Sequence, residues 1–242
     1  YDSKAMKVLR SMWVYTPPGY EKSPASYPVL YLLHGSGGTE ASWVAQGAAH
    51  VILDNLIADG RAVPMIVVMP FGHSEPSMAP GVMPTFTGRD QRAFTDELVG
   101  ELIPFVESRF RVQKKADGRA IAGLSMGGGQ ARSIGLARPD LFRWIGSFSG
   151  SMPGLRAPVS LDAVETMLGD VLADPQETNA NLSLWWMAVG DQETAMLAQH
   201  QALDTVLTNH RIRHTFVVLP GGHTWHVWRR NLRDFAPLLF RK

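Results

Sequence analysis

Two runs in this chain, Pro28-Val-Leu-Tyr-Leu-Leu33 and Pro64-Met-Ile-Val-Val-Met69, carry no polar side chain that alternates with their apolar ones. A strand with one face in water alternates, so an unbroken apolar run marks a strand covered on both faces. The first run stops at His34-Gly35-Ser36-Gly37-Gly38 and the second at Pro70. Between them, Val44 to Gly60 sets Val51, Ile52, Leu53, Leu56 and Ile57 at helical spacing. The alternation then continues. Helical spacing returns over Phe94 to Phe110, with Pro104 expected to bend or restart the helix. A short buried strand over Gly118 to Gly123 follows, then a packed helix from Met126 to Arg138 and a strand over Phe142 to Phe148. Leu182 to Val189 reads as the next strand, Thr194 to His210 as a helix, His214 to Leu219 as a strand, and Thr224 to about Phe240 as a last helix. Met6 to Tyr15 is β-prone and ends at Pro17-Pro18-Gly19, which suits an outer antiparallel strand. The fold class expected is therefore α/β, a mainly parallel central sheet flanked by helices on both faces.

Two stretches stand outside the alternation. Gly72 to Arg89 is rich in Gly, Pro, Ser and Met without periodicity, which suits a long loop over a site. Ser151 to Asn181 reads as a lid or insertion with a helix from Leu161 to Leu172. No linker or charge run divides the 242 residues, so a single domain over 1–242 is expected. A formal net charge of +1 with scattered basic residues gives no reason to expect a nucleic-acid partner, and no apolar run nears the roughly 20 residues of a membrane span. With no cysteine there is neither a disulfide nor a cysteine nucleophile. The chain opens at Tyr1 with no initiator Met or signal-like segment. A signal peptide or an accessory domain upstream is the expectation that follows, and with it a secreted or periplasmic location.

In open α/β sheets, sites form beyond the carboxyl ends of the strands. Four such ends carry reactive residues: His34 to Gly38, Ser125, Asp191 to Glu193, and His223. Gly123-Leu124-Ser125-Met126-Gly127 fits Gly-x-Ser-x-Gly, in which the serine sits on a cramped strand-to-helix turn with its hydroxyl held out. The chain order serine, carboxylate, histidine is that of the hydrolases built on this turn. A serine hydroxyl needs a base to take its proton, and a histidine needs a carboxylate to hold its tautomer.

His223 is the expected base because Gly221-Gly222 frees the backbone that delivers it; His226, one turn into the helix, is the competitor. Glu193 is favoured as the acid, with Asp191 as the alternative. For the oxyanion, the backbone N–H groups of Met126 and Ser36 are the expected donors, with Gly37 as the fallback. The remaining histidines, His50, His73, His200, His210 and His214, are read as surface or hydrogen-bonded structural residues. No metal site is expected, since His-Glu-x-x-His and other zinc spacings are lacking. The glycine-rich loop lacks the Gly-Lys-Ser/Thr ending of a phosphate cradle, so no nucleotide or other cofactor is expected. Trp43, Met78, Phe86 and Trp225, with Met83 and Trp228, can form an apolar pocket for an aromatic acyl group, or equally pack in the core or under a lid.

These residues together resemble a family. Val14-Tyr-Thr-Pro-Pro-Gly-Tyr20, Pro28-Val-Leu-Tyr-Leu-Leu-His-Gly-Ser-Gly-Gly38, Pro64-Met-Ile-Val-Val-Met-Pro70, Leu102-Ile-Pro-Phe-Val-Glu-Ser-Arg-Phe110, Gly123-Leu-Ser-Met-Gly-Gly128 and Pro220-Gly-Gly-His-Thr-Trp-His-Val-Trp228 are similar to segments of an esterase branch of the α/β-hydrolases. That branch holds the feruloyl and acetyl-xylan esterases of carbohydrate esterase family 1, with enterochelin esterases and esterase D as relatives. The resemblance implies an α/β-hydrolase fold, Ser125 as nucleophile, His223 as base and an acid in the Gly190 loop. It departs at Glu193, where the family commonly has aspartate. It implies a small or polysaccharide-linked ester as substrate, with feruloyl esters first. Acetyl-xylan or other small esters, siderophore esters, acyl transfer and a non-catalytic carbohydrate-binding role are the alternatives.

Overall fold

The computed structural model describes residues 1–74, 88–155 and 158–241. Seven strands form one sheet: β3 (Met12–Tyr15), β4 (Val29–Leu33), β5 (Ile66–Pro70), β6 (Arg119–Leu124), β7 (Trp144–Phe148), β8 (Leu184–Gly190) and β9 (Thr215–Leu219), in the spatial order β3-β5-β4-β6-β7-β8-β9. Only β3 runs antiparallel, with Val14 opposite Val68. A separate two-stranded ribbon, β1 (Asp2–Ser3) with β2 (Val8–Leu9), precedes it.

Residues along the central strands alternate between two cores, as the pleat requires. Tyr31 and Leu33 of β4 face one apolar cluster with Phe94, Leu98, Ile134 and Leu203, while Leu30 and Leu32 face the other with Trp43, Leu53, Leu232 and Phe235. Helices α1 (Ser42–Ala45), α2 (Ala49–Ala58) and α10 (Trp225–Phe235) cover the second face. On the first lie α3 (Gly88–Glu97), α4 (Ile103–Arg109), α5 (Met126–Ala137), α6 (Leu161–Leu168) and α9 (Thr194–Asn209). The mainly parallel sheet with helices on both faces thus stands as expected. Among the described residues, no helix is long and apolar enough to cross a membrane.

Several elements differ from their sequence reading. The helix expected over Val44 to Gly60 is two, because Gly47 packs so close to Trp43 that a Cβ there would come 2.5 Å from the indole, and Ala48 turns left-handed at φ 50°. Pro104 falls in the first turn of α4, where its missing N–H costs nothing, so the helix restarts there as expected, but a π-helical turn over Leu98–Leu102 that was not expected precedes it. Helix α3 begins at Gly88, inside the stretch read as loop. Gly169, at φ 36°, splits the helix expected to reach Leu172 into α6 and α7 (Asp170–Ala173), and α8 (Pro175–Asn181) follows. The last helix stops at Phe235, where a 3-10 turn over Ala236–Leu238 takes up Pro237.

The order of the sheet decides where a site can form. From β4 the chain moves outward to β5, then returns to place β6 on the other side of β4, so the topology reverses between β4 and β6. Such a switch point opens a crevice at the strands' carboxyl ends. His34 to Gly38 follow β4 and Ser125 follows β6, one on each side of it.

Candidate active site

Ser125 is the residue between β6 and α5, with φ 52° and ψ −115°, a backbone conformation costly for any residue but glycine. Its surroundings hold it there. Its N–H donates to Phe148 O at 2.8 Å, and its carbonyl accepts from Gly129 at 3.0 Å and Ser151 at 2.9 Å. The glycines on either side admit no side chain: a Cβ at Gly123 would stand 2.5 Å from the Gly127 carbonyl carbon, and one at Gly127 would stand 2.7 Å from Leu33 Cβ.

The hydroxyl so presented lies 2.9 Å from His223 Nε2. The other ring nitrogen, Nδ1, lies 2.5 Å from Glu193 Oε1. Glu193 is buried, with its second oxygen accepting from the Ser149 hydroxyl at 2.7 Å and the Gly190 N–H at 2.6 Å. Burial is the largest single influence on this carboxyl and pushes its pKa up. The hydrogen bonds from His223, Ser149 and Gly190 together outweigh it and bring the pKa below the usual value. An ionised carboxylate can only accept, so the imidazole must carry its proton on Nδ1 and leave Nε2 free to accept from Ser125. The ring is also fixed edge-on against Trp228, with centroids 4.8 Å apart.

Asp191 does something else. Its Oδ1 accepts from the Gly221 N–H at 2.8 Å, tying the turn after β8 to the one that delivers His223. Gly221, at φ 130°, occupies a backbone region nearly closed to other residues. His226, the competing base, is exposed on α10.

A cleft of about 260 Å³ opens beside the serine, lined in part by Ser36, Gly37, Ser125, His223, Trp225 and Trp228. Met126 heads α5, where a first-turn N–H has no partner within the helix. Ser36 and Gly37 face the cleft from across the switch point. Trp225 reaches the cleft, but Trp43 does not: it is 1% exposed, donates to Leu33 O at 2.9 Å and supports Trp225 edge-on from beneath. Its place in the pocket is corrected to the core, since an indole with its N–H satisfied by a strand carbonyl buries more apolar area than a cleft wall allows. Met78, Met83 and Phe86 lie outside the described residues.

Behind the cleft, His34 anchors the glycine-rich loop. Its Nδ1 donates to Gly35 O at 2.7 Å, and its Nε2 accepts from the Gly72 N–H at 2.8 Å. Burial pushes its pKa down to about 4, so it is a neutral structural link. Arg10 ties the same segment to α3, donating to Phe71 O and His73 O and pairing at 3.0 Å with the buried Glu97. Neither Arg10 nor Ser149 stood out in the sequence. For Ser149 a signal was available, because it follows β7 at the same end of the sheet as the other reactive residues.

Of the remaining histidines, His210 meets Glu165 at 3.0 Å, His214 meets Asp204 at 2.9 Å, and His200 donates to Met196 O at 2.8 Å. Among the described residues, no three His, Asp or Glu side chains gather as a metal site would require. A larger cavity of about 740 Å³ lies between α5 and the α6 to α8 segment, lined by Arg132, Leu136, Thr166, Asp170 and Glu177 among others. It touches none of the residues around Ser125, so the smaller cleft is the one placed for chemistry.

A family model described as "Putative esterase" matches residues 3–239. An endo-1,4-beta-xylanase/feruloyl esterase of Xylanibacter ruminicola is 34% identical over 246 residues, covering 99% of this chain and 30% of that protein. The chain thus spans less than a third of that relative. A solved ferulic acid esterase superposes with a TM-score of 0.82 at 28% identity, over 98% of this chain and 94% of the other. A family 1 carbohydrate esterase, the ferulic acid esterase of Anaeromyces mucronatus in complex with ferulic acid, gives 0.80 at 24% identity, over 99% and 88%.

Proposed function

The chain belongs to the esterase family whose model spans residues 3–239, and from that premise we propose a serine esterase that releases hydroxycinnamic acids, feruloyl groups first, from plant cell-wall polysaccharide. One observation carries the reading: Ser125, His223 and Glu193 make an unbroken hydrogen-bonded chain of 2.9 and 2.5 Å beside an open cleft.

In this reading Ser125 Oγ attacks the ester carbonyl carbon as its proton passes to His223 Nε2. The negative charge that develops on the carbonyl oxygen is met by the N–H groups of Met126 and Ser36, with Gly37 as the alternative. When the tetrahedral intermediate collapses, the C–O bond to the alcohol breaks and His223 returns the proton to the leaving oxygen. An acyl group remains on Ser125, and water, deprotonated by the same histidine, attacks it to free the acid. Buried Glu193 stabilises the imidazolium formed in each half-reaction.

The feruloyl assignment is supported by the names of the bifunctional relative and of the solved esterases. The chemistry of the cleft agrees, since Trp225 and Trp228 give it an apolar aromatic wall. A substrate attached to polysaccharide places the enzyme outside the cytoplasm, secreted or periplasmic. Comparing kcat/KM for methyl ferulate, acetylated xylan and p-nitrophenyl acetate tests the acyl preference, and the ferulate should lead. The nucleophile is tested by fluorophosphonate labelling, with the adduct expected on Ser125 and absent in Ser125→Ala. Ester hydrolysis near the parental rate in that variant would sink the assignment.

A further inference from the structure

Ser149 is fully buried at the end of β7, with its N–H donating to Ala188 O at 2.6 Å and its backbone left-handed at φ 47°. A glycine would adopt that conformation without strain; the serine does so at a cost in backbone energy. Its hydroxyl has two neighbours, Trp228 Nε1 at 3.2 Å and Glu193 Oε2 at 2.7 Å. An indole nitrogen only donates, so the Ser149 oxygen accepts from Trp228 and its own proton is directed to Glu193. Gly190 N–H donates to the same carboxylate oxygen. With Oε2 engaged twice, Oε1 is left for His223.

We propose that Ser149, its hydroxyl oriented by Trp228, is a positioning residue that fixes the Glu193 carboxylate against His223. The inference rests on the reading of Glu193 as the acid of the site. It answers a physical problem that a glutamate brings: one more rotatable bond than aspartate, and a soft terminal torsion that two donors on one oxygen can lock. The charged or titratable groups around the carboxylate are His223 in front and His200 of α9 behind it, with Arg132 of α5 beyond His200. None of these donates to Oε2, so the work falls to Ser149 and Gly190.

Ser149→Ala is expected to lower kcat about ten-fold while KM stays within about two-fold, because the lost interaction acts in forming the imidazolium and not in holding substrate. Trp228→Phe keeps a ring beside His223 but removes the donor and trims the cleft wall, so a smaller loss of kcat is expected together with a change in KM that Ser149→Ala does not share. Ser149→Gly relieves the strain and lacks the hydroxyl, so it should match the alanine variant in kcat and exceed it in thermal midpoint. The acid limb of kcat/KM should move to higher pH in Ser149→Ala, since the missing donor stabilised the charged carboxylate. In a Glu193→Ala background, Ser149→Ala should change kcat by less than about two-fold, there being no carboxylate left to position. A parental kcat in both Ser149 variants, or an undiminished effect in the Glu193→Ala background, overturns the inference. If Glu193→Ala itself leaves kcat unchanged, the reading of the acid has failed and the inference falls with it; if Glu193→Ala is crippled while both Ser149 variants are not, only the inference fails.

Discussion

Glu193 and Asp191 lie two residues apart on one turn, and their carboxylates have separate tasks. The turn closes with the Glu193 N–H on Gly190 O at 3.1 Å, which turns the longer side chain back over the carboxyl ends of β7 and β8 to His223 and leaves the shorter one on the Gly221 amide. Glu193→Gln should therefore lower kcat by about three to four orders of magnitude, the scale seen when an orienting carboxylate becomes an amide and the ring loses its tautomer. Asp191→Asn keeps an oxygen for Gly221 and should cost less than about ten-fold; equal losses in the two variants would refute this division of labour. Chain order and spacing brought Ser125, His223 and both carboxylates forward as candidates and favoured Glu193 over Asp191. What spacing does not carry is the direction of the turn, which sends Glu193 to His223 and Asp191 to the Gly221 amide. Ser149 was passed over although its place after β7 marked it, since a serine after a strand looks like any turn residue until its partners are known. Trp43 stayed open between cleft wall and core because an indole suits both equally well until its N–H is seen to end on Leu33 O.

The strand, elbow and helix around Ser125 work as one unit, because α5 sits against β4 with no room between their backbones. A Cβ on Gly127 would press into His34 O and stand 2.7 Å from both Leu33 Cβ and Leu33 O, so β4 and α5 would have to separate. Gly127→Ala is expected to destabilise the fold by roughly 3 kcal/mol, with loss of activity as the loop after β4 shifts. Gly100, in the π-helical turn, has nothing within 4 Å of its virtual Cβ, and Gly100→Ala should leave stability unchanged or slightly raised. Denaturant midpoints of the two variants measure the contrast, and similar midpoints would contradict the packing argument. Strand runs and the elbow were legible at this scale because full burial and a tight turn each leave a local mark in composition. The breaks in the helices were not. At Gly47 the indoles of Trp43 and Trp225 come too close for a side chain, an approach that periodicity does not record, and nothing in the apolar spacing marked the π turn before Pro104.

Three buried histidines, His34 after β4, His73 after β5 and His200 on α9, couple the stability of the whole molecule to pH, because burial lowers the pKa of each. Burial is the main cause in both His34 and His200, and it pushes each pKa from 6.5 down to about 4. His34 donates through Nδ1 to Gly35 O and accepts on Nε2, and His200 donates through Nδ1 to Met196 O, so each is held as the neutral ring. In the unfolded chain both take up a proton near pH 6.5, while the folded state refuses it until near pH 4. Between those values the unfolded state binds more protons, and stability rises with pH. The contribution is therefore fully present above about pH 6.5 and is lost progressively on acidification, at roughly 3 kcal/mol for each ring by pH 4. Glu193 works in a lower window: its folded pKa is depressed, so its contribution persists above the ordinary carboxyl range and disappears only as pH falls through the folded value. The thermal midpoint should accordingly begin to fall at about pH 6.5, before the carboxylates titrate, and keep falling to pH 4, and His200→Gln should make the slope between pH 6.5 and pH 5 shallower even if it lowers the midpoint at pH 7. A midpoint that stays flat down to pH 4.5 in the parent would show that these rings titrate in the folded protein as they do in water. The bond from the Gly72 N–H to His34 Nε2, which a protonated ring cannot accept, would then be lost without cost and would not be what holds the loop after β4.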